Sequence, residues 1–478
     1  MRGPSNATIQ QFNPMMSPSR RSFLVASAAS FATLGLPASL KAQTTAPALP
    51  VLFTNVRLFD GTSEALSGPM NVLVAGNKIT ALAADELMPP VGVQPMRIDG
   101  NGRTLMPGLI DAHTHMAMSV VPMSVTMTAD PYYTMLRQGQ AAGEMLMRGF
   151  TSARDLAGPT FGLKRAIDEG YISGPRIWPS GAALSQTSGH ADYRTLFDLP
   201  RITGEPLHFT ERVGFAAIAD GPEEVLRRAR EQLMLGASQI KLMAGGGVTS
   251  DHDPLDVTQY TEAEIRAAVE AAENWGTYVT VHAYTPRAIQ QAIRAGVKCI
   301  DHGQLADAET ARIIADKGIW WSLQPFLGDE DDTPFPEGSA NRAKQLEVSR
   351  GTENAYAFAK QLGIKTAFGT DTLFDEKVAS RQGAQLAKLT RWYTPAQVLK
   401  MATADNGELL ALSGLRTPYP GKLGVIEEGA LADLIMVDGD PIADIQLIAD
   451  PEKNFLVIMK DGKLFKNTLS PNAELARR

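Results

Sequence analysis

The stretch of sequence that decides the fold lies at residues 107–115 and reads Pro107-Gly108-Leu109-Ile110-Asp111-Ala112-His113-Thr114-His115. Its apolar residues predict a buried strand that ends in two histidines. Side chains two residues apart on a strand point to the same side, so His113 and His115 should direct their imidazoles towards one point. An isolated His-x-His pair is often two solvated loop residues, but the apolar strand before this pair weakens that alternative.

Strands and helical stretches alternate after this segment, which is the pattern of a parallel sheet. Thr261 and Glu264 fit a capping box at the start of a helix over residues 261–274, and Gly296 follows a second helix over residues 286–295. Eight strand–helix repeats predict a closed (β/α)8 TIM barrel. The eight candidate strands are residues 109–113, 151–155, 176–182, 239–243, 278–282, 298–302, 320–324 and 365–369.

Both ends of the chain have a different pattern, with short apolar runs separated by turns, which is typical of antiparallel strands. The runs are residues 51–53, 72–75, 431–437 and 455–459, with turns at Gly76-Asn77 and Asp461-Gly462. Neither end has enough strands to form a core of its own. We therefore predict an α/β protein in which residues 43–105 and 413–478 pair into a small β-sandwich domain beside a barrel at residues 106–412.

Composition and charge exclude several classes of function. The 478 residues carry 45 basic and 52 acidic side chains, a net charge of −7, which provides no basic stripe for nucleic acid and no polybasic membrane patch. The single cysteine, Cys299, excludes an internal disulfide and a cysteine-only zinc site. Any metal site must therefore use His, Asp, Glu and Lys, and only seven histidines are present.

The first 42 residues have the features of an export signal. Residues 19–24 read Ser-Arg-Arg-Ser-Phe-Leu and precede an apolar run of small residues that ends at Leu36. Paired arginines ahead of Phe-Leu resemble a twin-arginine signal. An N-terminal membrane anchor is the alternative, but the run is shorter than the ~20 residues that span a bilayer. We expect a periplasmic or secreted protein, cleaved near Ala42 and not held in a membrane.

Polar residues stand at the carboxyl ends of several predicted strands, where barrel enzymes place their active sites. His282 ends the fifth strand, His302 ends the sixth, and Asp371 follows the eighth. Imidazole and carboxylate together suit zinc and related divalent ions. Lys241 lies in the fourth strand, where a lysine that faces the barrel is costly unless it is paired or modified. Chemistry alone leaves both an acid partner and a modification open for this lysine.

Residues 107–115 resemble the first-strand motif of the amidohydrolase superfamily, and the later polar residues fill that superfamily's remaining ligand positions in strand order. The resemblance runs from about Val51 to the C-terminus, and residues 424–434 are similar to the family's returning β-sandwich segment. Within the superfamily, the chain is similar to Xaa-Pro dipeptidases and to ochratoxinase-type enzymes.

This resemblance implies a site for two divalent metal ions, expected to be zinc, bridged by an N6-carboxylated Lys241. The implied ligands are His113, His115, Lys241, His282, His302 and Asp371. The first two histidines and Asp371 would hold the more buried ion, and His282 and His302 would hold the outer one. A carboxylate that touches both metal and water is placed to move a proton, so Asp371 is also expected to be catalytic.

Two further residues match positions that dipeptidase-like relatives use around the substrate. His190 lies in a loop after the third strand, and Tyr284 follows His282 by two residues and should share its side. The resemblance implies that both are catalytic or substrate-binding residues that polarise the substrate carbonyl or bind its carboxylate. A loop histidine and a packing tyrosine are the alternatives. We expect His252 to be solvated in its loop and His208 to be structural or exposed.

Together these features predict a metal-dependent amidohydrolase that cleaves an amide bond with a metal-activated hydroxide. The substrate would be a dipeptide or an ochratoxin-like N-acyl phenylalanine, from which an amino acid is released. Cyclic amides, lactones or deaminase substrates at the same site are the alternative, and an interaction protein is disfavoured because all six ligand positions are filled. The resemblance also implies a homo-oligomer. Met116, Met118, Met123 and Met127 either line an adaptable apolar pocket or simply pack.

Overall fold

Strands and helices alternate through the middle of the chain, as the sequence pattern predicts. The structure is a computed structural model that describes residues 49–88, 92, 94–202 and 204–469. The predicted export signal, residues 1–42, lies outside the described residues. Among those residues, no helix combines the length and apolar character that crossing a membrane requires.

The strands are β1 (Val51–Leu58), β2 (Pro69–Ala75), β3 (Lys78–Ala83), β4 (Met96–Asp99), β5 (Thr104–Pro107), β6 (Leu109–Thr114), β7 (Phe150–Asp155), β8 (Arg176–Pro179), β9 (Ala183–Ser185), β10 (Ala216–Ile218), β11 (Ile240–Met243), β12 (Val279–Ala283), β13 (Cys299–His302), β14 (Trp320–Leu323), β15 (Thr366–Phe368), β16 (Leu434–Val437), β17 (Phe455–Lys460) and β18 (Lys463–Asn467).

The helices are α1 (Met123–Thr128), α2 (Pro131–Met147), α3 (Phe161–Asp168), α4 (Phe209–Val213), α5 (Pro222–Leu235), α6 (Glu262–Trp275), α7 (Pro286–Ala295), α8 (Ala308–Asp316), α9 (Ala340–Leu362), α10 (Glu376–Ala379), α11 (Gln382–Ala387), α12 (Pro395–Lys400), α13 (Asn406–Ala411), α14 (Gln446–Ala449) and α15 (Pro451–Asn454). Both predicted helices are confirmed. The Thr261 and Glu264 side chains form the capping box of α6, and Gly296 ends α7 in a left-handed conformation.

The parallel strands of the central region form two sheets among the described residues. One has the order β6-β7-β8 and the other the order β10-β9-β11-β12-β13-β14-β15. The predicted α/β class is confirmed, but the strand pairing does not show the closed ring of the predicted barrel. The ring is open between β15 and β6, and again within the predicted third strand, residues 176–182, where the N–H of Ala182 bonds to the Gln232 side chain at 3.0 Å. The chain therefore leaves β8, which pairs with β7, and resumes as β9, which pairs with β11.

The strands from both ends of the chain join in one mixed sheet. Its order is β18-β17-β16-β5-β1-β2-β3, with β4 beside β1. β5 makes the join, because it pairs in parallel with β1 and antiparallel with β16. Edge-to-edge pairing of this kind gives a single sheet, so the described strands do not confirm the predicted sandwich of two stacked sheets. The domain boundaries at residues 43–105, 106–412 and 413–478 stay predictions.

A buried ion-pair cluster attaches the terminal sheet to the parallel strands. Arg176, at the start of β8, donates through Nε to Asp433 Oδ2 at 2.8 Å and through Nη2 to Asp461 Oδ1 at 2.7 Å. One hydrophobic cluster also contains residues of both regions, including Phe150 of β7 and Phe455 of β17. The terminal sheet therefore packs against the amino ends of the parallel strands.

Candidate functional site

The predicted site residues come together at the carboxyl ends of the parallel strands. They line a cavity of about 310 Å³, a volume suited to a small organic ligand. The predicted residues on its wall are His113, His115, His190, Lys241, His282, Tyr284, His302 and Asp371. Parallel strands end on the same side of a sheet, so residues far apart in sequence become neighbours here.

The two histidines of β6 converge on Asp371, as the strand geometry predicts. The Nε2 atoms of His113 and His115 are 3.3 Å apart. Asp371 Oδ1 lies 3.2 Å from His113 Nε2 and 2.9 Å from His115 Nε2. Three potential ligand atoms from two separate segments therefore point at one place.

His302 and His282 extend this cluster towards the open side of the cavity. The ring centroids of His113 and His302 are 4.9 Å apart, and those of His302 and His282 are 4.5 Å apart. His302 Nδ1 lies 3.8 Å from Asp371 Oδ2. Tyr284 packs against both outer imidazoles, with centroid distances of 5.1 Å to His302 and 4.9 Å to His282.

Close backbone packing fixes Asp371 beside His113. The N–H of Asp371 donates to the carbonyl of His113 at 2.8 Å, and a β-carbon at Gly369 would lie 2.4 Å from His113 Cβ. Asp111 strengthens the contact, because its Oδ1 accepts the N–H groups of both His113 and Thr370 at 3.1 Å. Asp111 belongs to the motif at residues 107–115, but the sequence pattern did not predict this positioning role.

Two of the clustered residues adopt an unfavourable backbone conformation. His302 has φ 76° and Asp371 has φ 51°, which lie in the left-handed region that residues other than glycine rarely enter. Such conformations cost of order 1–3 kcal/mol and concentrate at functional sites. The fold holds these two side chains in place at the expense of local stability.

Burial favours the neutral form of three clustered imidazoles, those of His113, His282 and His302. It lowers the pKa of His113 to about 4 and lowers the pKa values of His282 and His302 well below the usual value. Burial alone would raise the pKa of Asp371, but charge and hydrogen bonds from the neighbouring histidines outweigh it and hold this pKa well below the usual range. The cluster therefore offers neutral nitrogen atoms beside an ionised carboxylate.

These donors fit a divalent metal ion. Two nitrogen ligands at about 2.0–2.1 Å from a tetrahedral zinc ion lie about 3.3 Å apart, and the Nε2 atoms of His113 and His115 have that separation. Potential ligand atoms of His113, His302 and Asp371 all lie within 4.8 Å of one another. His302 Nδ1 lies 2.8 Å from Gln324 Oε1, and His282 Nε2 lies 3.1 Å from the carbonyl oxygen of Gly246. Each of these two rings therefore has a neutral hydrogen-bond partner.

The comparison with known proteins agrees with this geometry. Residues 104–465 match the model of the amidohydrolase family, which covers more than half of the chain. The ochratoxinase of Aspergillus niger is 33% identical over 437 residues, which span 88% of this chain and 88% of that relative. The chain belongs to the amidohydrolase family. It is a hydrolytic enzyme, and members of this family are typically metal-dependent.

Solved structures of other amidohydrolases resemble this chain over nearly their whole length. A prolidase complexed with N-methylphosphonate-L-proline has a TM-score of 0.78 and 33% identity, and the match covers 87% of this chain and 100% of that one. A Xaa-Pro dipeptidase with methionine bound in its active site has a TM-score of 0.75 and 28% identity, with coverages of 87% and 100%. These similarities confirm the predicted resemblance to ochratoxinase and Xaa-Pro dipeptidases.

Lys241 of this amidohydrolase has an acid partner that the sequence analysis missed. Its Nζ donates to Asp301 Oδ2 at 2.7 Å, and both side chains are almost completely buried. Arg154 holds the other carboxylate oxygen, with Nη2 at 2.8 Å from Asp301 Oδ1. Thr280 adds a hydroxyl bond of 2.8 Å to Oδ2. In this structure the alternative of a lysine that bridges an acid is therefore realised.

The signal for Asp301 was present in the sequence. The residue stands next to His302 inside an apolar strand, and the sequence analysis treated only the histidine as informative. Two buried cations, Lys241 and Arg154, cannot remain in an apolar interior without an anion. Burial would raise the pKa of Asp301, but these two cations outweigh that effect and hold it far below the usual range.

His190 stacks on the outer histidine. Its ring lies 4.2 Å from the ring of His282, and its Nδ1 lies 2.6 Å from Ser250 Oγ and 3.5 Å from Asp253 Oδ2. A β-carbon at Gly247 would lie 2.0 Å from the imidazole, so the glycine leaves the space that the ring occupies. His190 is therefore anchored at the cavity wall, in contrast to the alternative of a free loop histidine.

The methionines and the two remaining histidines occupy different places in the structure. Met118 and Met123 line the cavity, whereas Met116 lines a smaller hollow behind His115. His252 is exposed, as predicted. His208 caps α4, because its Nδ1 accepts the N–H of Thr210 at 3.4 Å, which agrees with the structural role expected for it.

One wall of the cavity was not predicted at all. Residues 325–336, between β14 and α9, supply eight of its lining residues, among them Phe326, Asp332 and Phe335. This segment has no regular secondary structure, and its sequence contains three prolines and four acidic residues. A loop of this composition gives no periodic pattern from which its position could be inferred.

We expect Asp301→Asn to lower the free energy of unfolding by about 3–5 kcal/mol, because it leaves two buried cations without an anion. Urea denaturation of the purified protein measures the change. Asp316→Asn is the matched control, because Asp316 is exposed at the end of α8 and has no ion pair among the described residues. Similar stability of the two variants would show that Asp301 does not neutralise this cluster.

Proposed function

We propose that this amidohydrolase cleaves an amide bond in a dipeptide or an N-acyl amino acid and releases an amino acid. The observation that carries the proposal is the convergence of His113, His115 and Asp371 within 3.3 Å, at the bottom of a cavity large enough for such a substrate. The chain also belongs to a family whose members hydrolyse bonds of this kind.

The proposed metal centre uses two groups of ligands. His113, His115 and Asp371 would hold the inner divalent ion, and His282 and His302 would hold the outer one; zinc suits this nitrogen and carboxylate set. Bound divalent ions would lower the pKa of a coordinated water towards ~7 and polarise a substrate carbonyl.

Lys241 is proposed to bridge the two ions as its N6-carboxylated form. The modification adds carbon dioxide to the neutral Nζ and releases a proton, so the ion pair with Asp301 must first be broken. Arg154 still holds Asp301 through Nη2 at 2.8 Å, and the carboxylate therefore keeps a cation when Lys241 leaves it. This arrangement supports the proposal, because the change does not strand a buried anion.

Asp371 would move the proton in the reaction. Its low pKa keeps the carboxylate ionised, so it can accept a proton from the attacking water and deliver it to the nitrogen of the leaving amine. Tyr284 stays protonated, because burial and the nearby Asp371 raise its pKa well above the usual value. Its hydroxyl can therefore donate to the substrate carbonyl or carboxylate, and His190, which also lines the cavity, would bind the same substrate.

The relatives support this class of substrate. Their names indicate hydrolysis of ochratoxin in one case and of Xaa-Pro dipeptides in the others. Dipeptides and N-acyl phenylalanines share an amide next to an amino-acid carboxylate, and the cavity wall offers apolar surface from Met118, Met123 and Phe326 for the attached groups. Cyclic amides, lactones and deaminase substrates remain the alternative at the same site.

Hydrolysis of a substrate panel, before and after metal removal, tests the proposed function. The panel contains Xaa-Pro dipeptides, N-acyl phenylalanines, lactones and aminopurines. We expect turnover of the first two classes, its loss after treatment with a chelator, and its return when zinc is added. Turnover confined to lactones or aminopurines would overturn the amide substrate, and full activity after verified metal removal would overturn the metal centre.

Asp371→Asn should reduce kcat by about 10²–10⁴-fold, because the amide cannot accept the proton. The circular dichroism spectrum should not change, since asparagine has nearly the same size. Asp251→Asn is the control, since this exposed residue lies in a neighbouring loop. Near-normal turnover in the Asp371 variant would remove this residue from the proposed mechanism.

We also propose that the enzyme is exported in the folded state by the twin-arginine route. Replacement of both Arg20 and Arg21 by lysine should keep the precursor in the cytoplasm, because the paired arginines form the recognition signal. Cell fractionation with an antibody against the enzyme measures its distribution. Unchanged export of the double variant would contradict the proposed route. The homo-oligomer stays a prediction.

A further inference from the structure

Three of the four acidic residues of the segment 325–336 have cationic partners, and these partners do not line the cavity. Lys388 Nζ lies 2.6 Å from Asp329 Oδ1 and also contacts Asp331, which receives a second bond from Arg381. Arg381 further lies 3.4 Å from Glu330. These contacts attach the segment to the region of α11 and neutralise its charge on that side.

Asp332 is the exception in this segment. It lines the cavity, is half-buried, and has no ion pair among the described residues. Its Oδ2 accepts the N–H of Gly328 at 2.6 Å, which fixes the orientation of the carboxyl group. The side chain is close enough to Tyr284 to raise the pKa of that phenol. Asp332 and the proposed metal ligands therefore face the same space.

No cationic side chain forms an ion pair with Asp332 among the described residues, and Lys388, whose charge acts on it from a distance, is already paired with Asp329 and Asp331. Among the described lining residues there is no arginine, and the only lysine is Lys241, which pairs with Asp301. Burial, together with the charges of Asp329 and Asp331, raises the pKa of Asp332 to about 6, although the Gly328 bond and the charge of Lys388 oppose this shift. A partly desolvated carboxylate that has no ion-pair partner of its own gains stabilisation when a cation enters beside it.

We propose that Asp332 recognises a cationic ammonium group on the substrate. The ammonium belongs either to the free amino terminus of a dipeptide or to a lysine-like side chain, and the same carboxylate serves in both cases. The inference rests on the proposed amide hydrolysis and narrows its substrate class. N-acyl amino acids that carry no ammonium group would leave Asp332 without an ion-pair partner and are therefore poorer substrates.

The hydrogen bond between Asp332 and the Gly328 N–H does not require a charged side chain at position 332. Asparagine can still accept the Gly328 N–H, so Asp332→Asn removes the charge without removing the bond that shapes the segment. Glu330→Gln is the matched control, because it removes the same charge from the same segment at a position that is 67% exposed and does not line the cavity.

Matched substrate pairs test the inference. Ala-Phe is compared with N-acetyl-Ala-Phe, and N-acetyl-Lys-Phe with N-acetyl-norleucyl-Phe, in the metal-loaded enzyme and both variants. Asp332→Asn should lower kcat/KM for the member of a pair that carries the ammonium group by about 10- to 100-fold and leave the member without it unchanged. A loss on Ala-Phe assigns the α-ammonium, and a loss on N-acetyl-Lys-Phe assigns the side chain. Glu330→Gln should change neither pair.

An equal change for both members of each pair, or no change in either, would overturn the role of Asp332. If the wild-type enzyme hydrolyses none of these peptides, the proposed function fails on its own account. Calorimetry of the binding of the same pairs then decides the inference. Tighter binding of the member that carries the ammonium group, with this preference lost in Asp332→Asn, supports the inference. Equal binding of both members overturns it.

Discussion

A balance of buried charge supports the site. Lys241 and Arg154 enter the interior of the parallel strands from β11 and β7, and Asp301 on β13 lies between them with one carboxylate oxygen for each cation. Removal of Asp301 would leave two cations in an apolar environment, where they are costly. The three strands are therefore fixed relative to one another directly below the histidine cluster. The positions of His282 and His302, on β12 and β13, follow from this arrangement.

The backbone contributes a second constraint above the charge cluster. Asp371 reaches the histidines because Gly369 allows the chain after β15 to pass against His113, and because Asp111 binds the backbone of both segments. The left-handed conformations of His302 and Asp371 show that this arrangement is imposed and not relaxed. Stability has been given up locally so that an ionised carboxylate and neutral imidazoles can face one another.

Sequence reasoning could predict the residues that lie on strands but not those that depend on contacts between strands. Period-two geometry indicated His113 and His115, and the strand ends indicated His282, His302 and Asp371. The role of Lys241 as a ligand came from the resemblance. Asp301 was missed because its importance depends on Lys241, 60 residues earlier in the chain. The closed barrel and the β-sandwich were expected from the number of strands and the family pattern. Among the described residues, the parallel strands form two sheets, with a side-chain hydrogen bond at Ala182 beside one of the two breaks, and the double pairing of β5 joins the terminal strands into one sheet.

Two kinds of structure form the wall of the cavity, strand ends and a loop. The proposed metal ligands lie at the carboxyl ends of the parallel strands, whereas the wall that carries Asp332 is a loop attached by ion pairs to Arg381 and Lys388. Substitutions in that loop can alter which molecules enter without disturbing the histidines. Closely related enzymes can therefore differ in substrate specificity while their hydrolytic chemistry stays the same. This loop is where a new activity would be selected or engineered first.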